Sequence, residues 1–219
     1  MKAEEILAHV DHTLLKPTAT WEEIRRVCEE ALTYHTATVM VPSCFVAKIR
    51  KTYGDSLTIA TVVGFPNGNC STEAKLAETG QAIADGASEI DMVINIGMLK
   101  AGDTDYVTRE IRMLKSLCDG RVLKVIVETC YLTEAEKIAA CKCVTEGGAD
   151  FIKTSTGFGT AGAKLADIEL FKKYIGPNVQ MKAAGGIHTR QEMEAFLAAG
   201  CTRLGASAAV KVLKDEIKE

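Results

Sequence analysis

Short apolar runs separated by helical patterns recur along the whole chain, and this alternation restricts the fold more tightly than any other feature. The runs fall at 9–15 (HVDHTLL), 36–41 (TATVMV), 57–64 (LTIATVVG), 89–96 (EIDMVINI), 121–128 (RVLKVIVE), 151–156 (FIKTST), 179–184 (VQMKAA) and 203–206 (RLGA). Most are followed by segments such as WEEIRRVCEEAL, TEAKLAETGQAIA, YVTREIRMLKSLC, TEAEKIAACKCV, LADIELFKKYI and TRQEMEAFLAA, whose apolar residues repeat at three- and four-residue spacing. Several runs are nearly continuous in Val, Ile and Leu, the pattern of a parallel sheet covered on both faces. Eight strand–helix units in 219 residues give about 27 residues each, close to the lower size limit of a (β/α)8 barrel. The fold expected is therefore α/β, a single (β/α)8 TIM barrel spanning residues 1–219. An open doubly wound sheet fits less well, because no G-x-G-x-x-G follows the first run and eight strands are many for this length.

A repeated junction supports the barrel. Gly86-Ala-Ser-Glu-Ile-Asp91, Gly148-Ala-Asp-Phe-Ile-Lys153 and Gly200-Cys-Thr-Arg-Leu-Gly205 each pass from a helix-ending glycine into a strand. In strands 4, 6 and 8 these junctions put Asp91, Lys153 and Gly205 at one offset. Alternate strands of a barrel fill common interior layers, so Asp91 and Lys153 are expected to face each other across the barrel.

Charge inside an apolar strand is costly unless it is paired or used. Asp91, Lys124, Lys153 and Lys182 all stand in such strands. Any one of them alone would fit an outward or snorkelling position, but four on consecutive strands point inward together. Crowded ammonium groups and desolvation would depress a lysine pKa. A lysine at about 10.4 is almost wholly protonated at neutral pH, and only the neutral amine attacks a carbonyl. Asp91 would relay protons for such chemistry through a water. The glycine-rich segments Gly185-Gly186 and Gly205-Ala-Ser207 follow the last two strands, where barrel loops and a nearby helix start often bind phosphate. The Ser155–Gly159 stretch after strand 6 would close the same pocket.

The remaining features exclude other classes. With 26 Lys+Arg against 29 Asp+Glu, there is no basic field for nucleic acid. No stretch approaches about 18 uncharged apolar residues, and the acids in MKAEEILAHVDH do not suit a secretory leader, so no membrane partner and a cytoplasmic location are expected. The eight cysteines are scattered and read as reduced thiols, and Cys141-Lys-Cys143 lacks a second ligand pair for zinc. Metal: none. The four histidines are too dispersed for a triad and read as packing or surface residues.

Asp11-His-Thr-Leu-Leu-Lys16, Glu89-Ile-Asp91-Met-Val, Leu123-Lys-Val-Ile-Val-Glu-Thr129, Phe151-Ile-Lys153-Thr-Ser-Thr-Gly157 and Lys182-Ala-Ala-Gly-Gly186 strongly resemble the deoxyribose-phosphate aldolases, in order from about residue 9 to the last strand. The resemblance implies a class I aldolase that interconverts 2-deoxy-D-ribose 5-phosphate with D-glyceraldehyde 3-phosphate and acetaldehyde, with no cofactor. It implies Lys153 as the Schiff-base lysine, Lys182 as the group that perturbs it and moves protons, Asp91 as proton relay, and Lys124 and Asp11 as supporting members, with Asp11 near the substrate hydroxyls. Thr154, Gly157, Gly185, Gly186, Gly205 and Ser207 match substrate- and phosphate-contacting positions. Two departures stand out. Phe158 occupies a place where some members carry a basic residue, so phosphate binding is expected to rest on backbone amides. The end of the chain, Val212–Glu219, has no tyrosine like the one with which some members reach the active site. Rival readings are another Schiff-base barrel aldolase with a different donor, and a catalytically silent sugar-phosphate binder. A homodimer is the expected minimum assembly, with Trp21 and the first helices as its candidate contact.

Overall fold

Eight parallel strands hydrogen-bond in sequence order and close on themselves, β8 returning to β1. The computed structural model describes residues 1–217. Its strands are β1 (Val10–Thr13), β2 (Thr38–Val41), β3 (Ile59–Val63), β4 (Glu89–Val93), β5 (Val122–Ile126), β6 (Phe151–Lys153), β7 (Gln180–Ala184) and β8 (Arg203–Ala206). Every expected run contains one strand. The runs overshoot because residues just past β1 and β6 remain apolar or small while leaving the sheet as loops over the barrel mouth.

The helices α1 (Ala3–Leu7), α2 (Trp21–Thr33), α3 (Val46–Tyr53), α4 (Thr72–Ala84), α5 (Ile96–Lys100), α6 (Thr104–Cys118), α7 (Glu134–Glu146), α8 (Leu165–Tyr174), α9 (Arg190–Ala198) and α10 (Ala209–Leu213) surround the strands. Local chemistry sets where the main ones begin. Thr20, Thr133 and Thr189 each accept from the amide three residues on, and the Glu at that position reaches back, closing a capping box at α2, α7 and α9. Ser71 and Asp103 cap α4 and α6. The short α1, α3 and α5 escape a periodicity reading because they span five, eight and five residues, too few for an apolar stripe to repeat. Trp21, a candidate dimer contact, stacks on Phe45 at 6.4 Å, with the Lys48 ammonium 4.2 Å above its ring. Cys141 and Cys143 are buried in α7, and all eight cysteines are free thiols.

Strand residues alternate between two environments. Outward side chains such as Val39, Ile59, Ile90, Leu123, Ile152 and Leu204 join the helices in one extended apolar core. Inward side chains divide by strand. Met40, Ala60 and Val62 on β2 and β3 form a small separate apolar cluster, against which Leu15 and Phe65 pack. The remaining strands send Asp11, Glu89, Asp91, Lys124, Lys153, Lys182 and Arg203 inward, where they bond to one another. One half of the barrel interior is hydrocarbon and the other is ionic.

A second buried ion pair lies outside the barrel. Lys75 on α4 and Glu110 on α6 meet at 2.8 Å with neither side chain exposed, and the same Nζ donates to the Val93 carbonyl at 2.8 Å. This ties two helices to the end of β4. Removing one partner of such a pair strands a charge at a cost of about 3–5 kcal/mol, whereas replacing both with apolar groups is far milder. Lys75→Met should therefore lose about that much stability in urea unfolding, and Lys75→Met/Glu110→Leu should recover most of it. A double variant whose loss equals the sum of the Lys75→Met and Glu110→Leu losses would show that the pair is not coupled.

Candidate functional site

Asp91 is the hub of the ionic half. Its Oδ1 accepts from Lys124 Nζ at 2.8 Å, and its Oδ2 accepts from Lys153 Nζ at 2.8 Å and Lys182 Nζ at 2.7 Å. All four side chains are buried. The strand register produces this meeting. Asp91 pairs with Lys124 across β4–β5, and Lys153 pairs with Lys182 across β6–β7. Residues in register on neighbouring strands point to the same face, so all four enter the barrel together.

Asp11 forms a second tier. It bonds Lys182, accepts from Thr38 Oγ1 at 2.8 Å and from Arg203 at 2.6 Å, and lies 3.4 Å from Lys124. Glu89 completes that tier, contacting Lys124 at 2.6 Å and Arg203 at 2.9 Å. Three carboxylates thus face four cations. Glu89 and Arg203 were missed by the sequence reading, although the signal was available: each stands two residues before a recognised inward position, Asp91 and Gly205, and so shares its face.

The charges do not respond alike. Burial and the neighbouring ammonium groups of Lys182 and Lys124 pull Lys153 down to about 8, outweighing the attraction of Asp91. Burial also opposes the charge on Lys124, but Asp11, Asp91 and Glu89 outweigh it and push this lysine up. The expected depression by crowding thus holds for Lys153 and reverses for Lys124, which has three carboxylates around it. Burial disfavours ionised Asp91, yet Lys124, Lys153 and Lys182 hold its carboxyl well below the usual range.

Above this network the barrel mouth opens into a cavity of about 360 Å3, with Lys153 on its lining. The loop after β6 contributes Thr156, Gly157 and Phe158, the loop after β7 contributes Gly185, Gly186 and His188, β8 contributes Gly205, and the turn after it contributes Ser207. Gly185 and Gly186 both have left-handed φ, +80° and +73°, a conformation costly for a side chain. Gly205 serves another need. A Cβ there would stand 2.8 Å from Ala184 Cβ and 3.3 Å from Lys182 Cε, closing the space through which Lys182 reaches Asp91. Among the described residues, the amides of Gly157, Gly186 and Ser207 donate to no protein acceptor. Free amides of this kind suit an anion.

Two of the expected contact residues lie off the cavity lining. Asp11 is fully buried, with Lys182, Thr38 and Arg203 as its partners. Thr154 is buried too. Its hydroxyl is 3.1 Å from the Ala184 amide and 3.2 Å from the Ala184 carbonyl, fixing the end of β7. Lys124, Lys182 and Asp91 form the layer below the cavity. His188, read as a packing or surface residue, lines it.

Further lining and supporting residues come from loops whose path the sequence did not reveal. Thr13, Leu14, Leu15 and Lys16 leave β1 along the cavity wall. Buried Glu128 binds the Thr156 hydroxyl and, at 3.3 Å, its amide, while Thr156 Oγ1 accepts from Phe158 N–H at 3.0 Å. That carboxylate fixes the loop after β6. The Ala163 amide returns the same loop to the Ala184 and Gly185 carbonyls, both at 3.1 Å. Phe158 meets Phe65 edge to face at 5.3 Å, forming an apolar side to the mouth. Among the described residues, no group of three or more His, Cys, Asp or Glu is placed to hold a metal ion.

A closed (β/α)8 barrel with a buried lysine at the floor of a cavity on its C-terminal face defines a barrel enzyme, the face being where such enzymes work. The comparisons with known proteins specify the kind: the DeoC/LacD family aldolase pattern matches residues 6–211, and the chain belongs to that family of carbon–carbon lyases. It is 61% identical over 216 residues to a deoxyribose-phosphate aldolase of Clostridium botulinum, covering 99% of this chain and 98% of the relative. A Streptococcus pyogenes deoxyribose-phosphate aldolase is 50% identical, with 99% and 97% covered. The crystal structure of a putative deoxyribose-phosphate aldolase from Coccidioides immitis superposes with a TM-score of 0.93 at 36% identity, covering 98% of this chain and 87% of that one. The tetrameric deoxyribose phosphate aldolase of Aeropyrum pernix gives 0.91 at 29% identity, covering 98% and 92%.

Lys182 is one of the charges that depress Lys153. Lys182→Met removes that repulsion and leaves Asp91 Oδ2 to Lys153 alone. The midpoint for acylation of Lys153, followed by mass spectrometry across pH, should therefore move upward from about 8. A midpoint that stays or falls would show that Lys182 does not set it.

Proposed function

We propose that the chain reversibly cleaves 2-deoxy-D-ribose 5-phosphate into D-glyceraldehyde 3-phosphate and acetaldehyde, with Lys153 forming the Schiff base. The observation that carries this reading is one amine: Lys153 is buried beneath the cavity, held 2.8 Å from Asp91, and drawn down to about 8. Relative to the ordinary value of 10.5, this raises the neutral fraction at pH 7 by roughly 300-fold. The names borne by relatives at 61% and 50% identity support the substrate.

The neutral amine of Lys153 attacks the C1 aldehyde of the open-chain sugar, forming a C–N bond while the carbonyl oxygen takes a proton. Loss of water gives an iminium ion. The C3 hydroxyl then gives up its proton, the C2–C3 bond breaks, and its electron pair moves into a C1–C2 enamine as C3 becomes the aldehyde of glyceraldehyde 3-phosphate. Protonation at C2 and hydrolysis release acetaldehyde. The nitrogen is itself the electron sink, so this sequence calls for no metal or cofactor.

Asp91 and Lys182 move the protons. When Lys153 becomes neutral, Asp91 loses one of its three ammonium partners and its proton affinity rises at the moment a proton must be handled. Lys182 shares Asp91 Oδ2 with Lys153 and supplies the adjacent donor. Lys124 and Asp11 support this pair from below. The amides around Gly157, Gly185, Gly186, Gly205 and Ser207 take the phosphate, and Thr154 acts by fixing Ala184. We infer that the enzyme serves the breakdown of deoxyribose phosphates in the cytoplasm. We further infer a homo-oligomer, a dimer at least, since the Aeropyrum relative is tetrameric. Among the described residues, no helix is long and apolar enough to cross a membrane.

Incubation with acetaldehyde and borohydride should add one reduced two-carbon unit to Lys153, and Lys153→Leu should abolish both the adduct and turnover. No adduct, or one mapped to Lys182, would overturn the assignment. The trapping rate should climb with pH to about 8 and level off above it, because only the neutral amine reacts and its share saturates there. A rate still climbing toward the ordinary lysine value of 10.5 would contradict the depressed amine.

A further inference from the structure

The cavity has a charge pattern that the residues below it do not explain. Among the described residues, none that lines it is a carboxylate, and two carry amines, Lys153 and Lys16. Phe158, in the loop after β6, packs on Phe65 and makes its part of the mouth apolar.

Lys16 follows β1, and β1 closes the barrel against β8 with Asp11 opposite Gly205. The loop carrying Lys16 therefore rises beside the Gly205–Ser207 turn, one of the places where a backbone amide is free. In the structure Lys16 Nζ lies 2.6 Å from Glu23 Oε1, and the Lys16 side chain is 50% exposed. An exposed pair of this kind is weak and readily exchanged. Glu23 also keeps other partners. Its Oε2 accepts from the Thr20 amide at 2.8 Å and the Thr20 hydroxyl at 3.0 Å, as the carboxylate of the α2 capping box. Lys16 can leave without stranding it.

We propose that Lys16 is the cationic residue that recognises the phosphate of the substrate, giving up Glu23 to do so. The proposal rests on the aldolase reading for the identity of the substrate, but anion binding by Lys16 can be measured without turnover. Glu23 is then a competing anion, and the exchange sets how strongly the enzyme prefers phosphorylated over neutral sugars. The flexible amine of Lys16 supplies charge to a cradle otherwise built of dipoles.

The test uses Lys16→Met, Lys16→Arg and Glu23→Gln, assayed with 2-deoxyribose 5-phosphate and with 2-deoxyribose, beside calorimetric titration with inorganic phosphate. Loss of one charge-assisted hydrogen bond predicts that Lys16→Met raises KM for the phosphorylated sugar about 10- to 100-fold. Its kcat should hardly change, and kcat/KM for 2-deoxyribose should stay the same. Phosphate affinity should fall by a similar factor, and Lys16→Arg should restore most of it. Glu23→Gln retains the capping geometry but not the charge, so it should tighten phosphate binding. Equal losses with both sugars would reduce Lys16 to a structural role and overturn the proposal. So would unchanged phosphate affinity in Lys16→Met. Absence of any borohydride adduct in the unaltered protein would instead overturn the aldolase reading, while the titration would still decide whether Lys16 binds the anion.

Discussion

One carboxylate holding three ammonium groups is the condition on which the interior of this barrel depends. Without Asp91, Lys153 would lose the carboxylate it is paired with, and Lys124 and Lys182 would be left to Asp11 and Glu89 alone in a water-poor space where unmatched charge is costly. With it, both carboxylate oxygens are used and the strands carrying these residues are fixed in relative height. Asp11, Glu89 and Arg203 extend the matching one layer down. The consequence is an asymmetry among identical side chains. Lys124, surrounded by three carboxylates, is locked as a cation, whereas Lys153, with one carboxylate shared among three lysines, is poised to lose its proton. Reactivity at one amine is thus produced by how the others are paired.

The cavity above is shaped by a different constraint, the return of each loop to the barrel rim. Glu128 holds the loop after β6 through Thr156, and Ala163 brings it back onto the end of β7. Thr154 clamps that same strand end through Ala184. These bonds touch no reacting atom, yet they set where the amides of Gly157 and Gly186 stand. The apolar Phe65–Phe158 contact on the same mouth leaves positive charge to be provided from the β1 side.

Much of this was legible in the sequence because barrel strands carry their information in period two. The eight apolar runs gave the strands, and the repeated Gly86, Gly148 and Gly200 junctions put Asp91 and Lys153 at one offset; the 2.8 Å contact between them follows from that parity. The same parity pointed to Glu89 and Arg203, which were overlooked because a charge at the start of a strand reads as solvated. Roles were less legible than positions. Asp11 and Thr154 sit in family motifs and were expected to touch substrate; the motifs give their positions, and their burial is set by how the strands and loops pack around them. Crowding was expected to depress a lysine, and sequence spacing could not reveal that three carboxylates surround Lys124 and push it the other way. The path of the loop holding Lys16 and the reach of His188 into the cavity depend on loop conformations without a periodic signature.

The closure of β8 on β1 also has a meaning in time. Asp11 on the first strand finds its partners Lys182 and Arg203 on the last two, at separations of 171 and 192 residues. During synthesis this carboxylate must wait, hydrated, while almost the entire barrel emerges, and the interior cannot dry until the final strands arrive to neutralise it. The pairing of the ionic half is therefore complete only once β7 and β8 are in place. A barrel without those strands would keep its apolar β2–β3 cluster but leave Asp11 to water on the side where Lys153 is shielded in the closed structure.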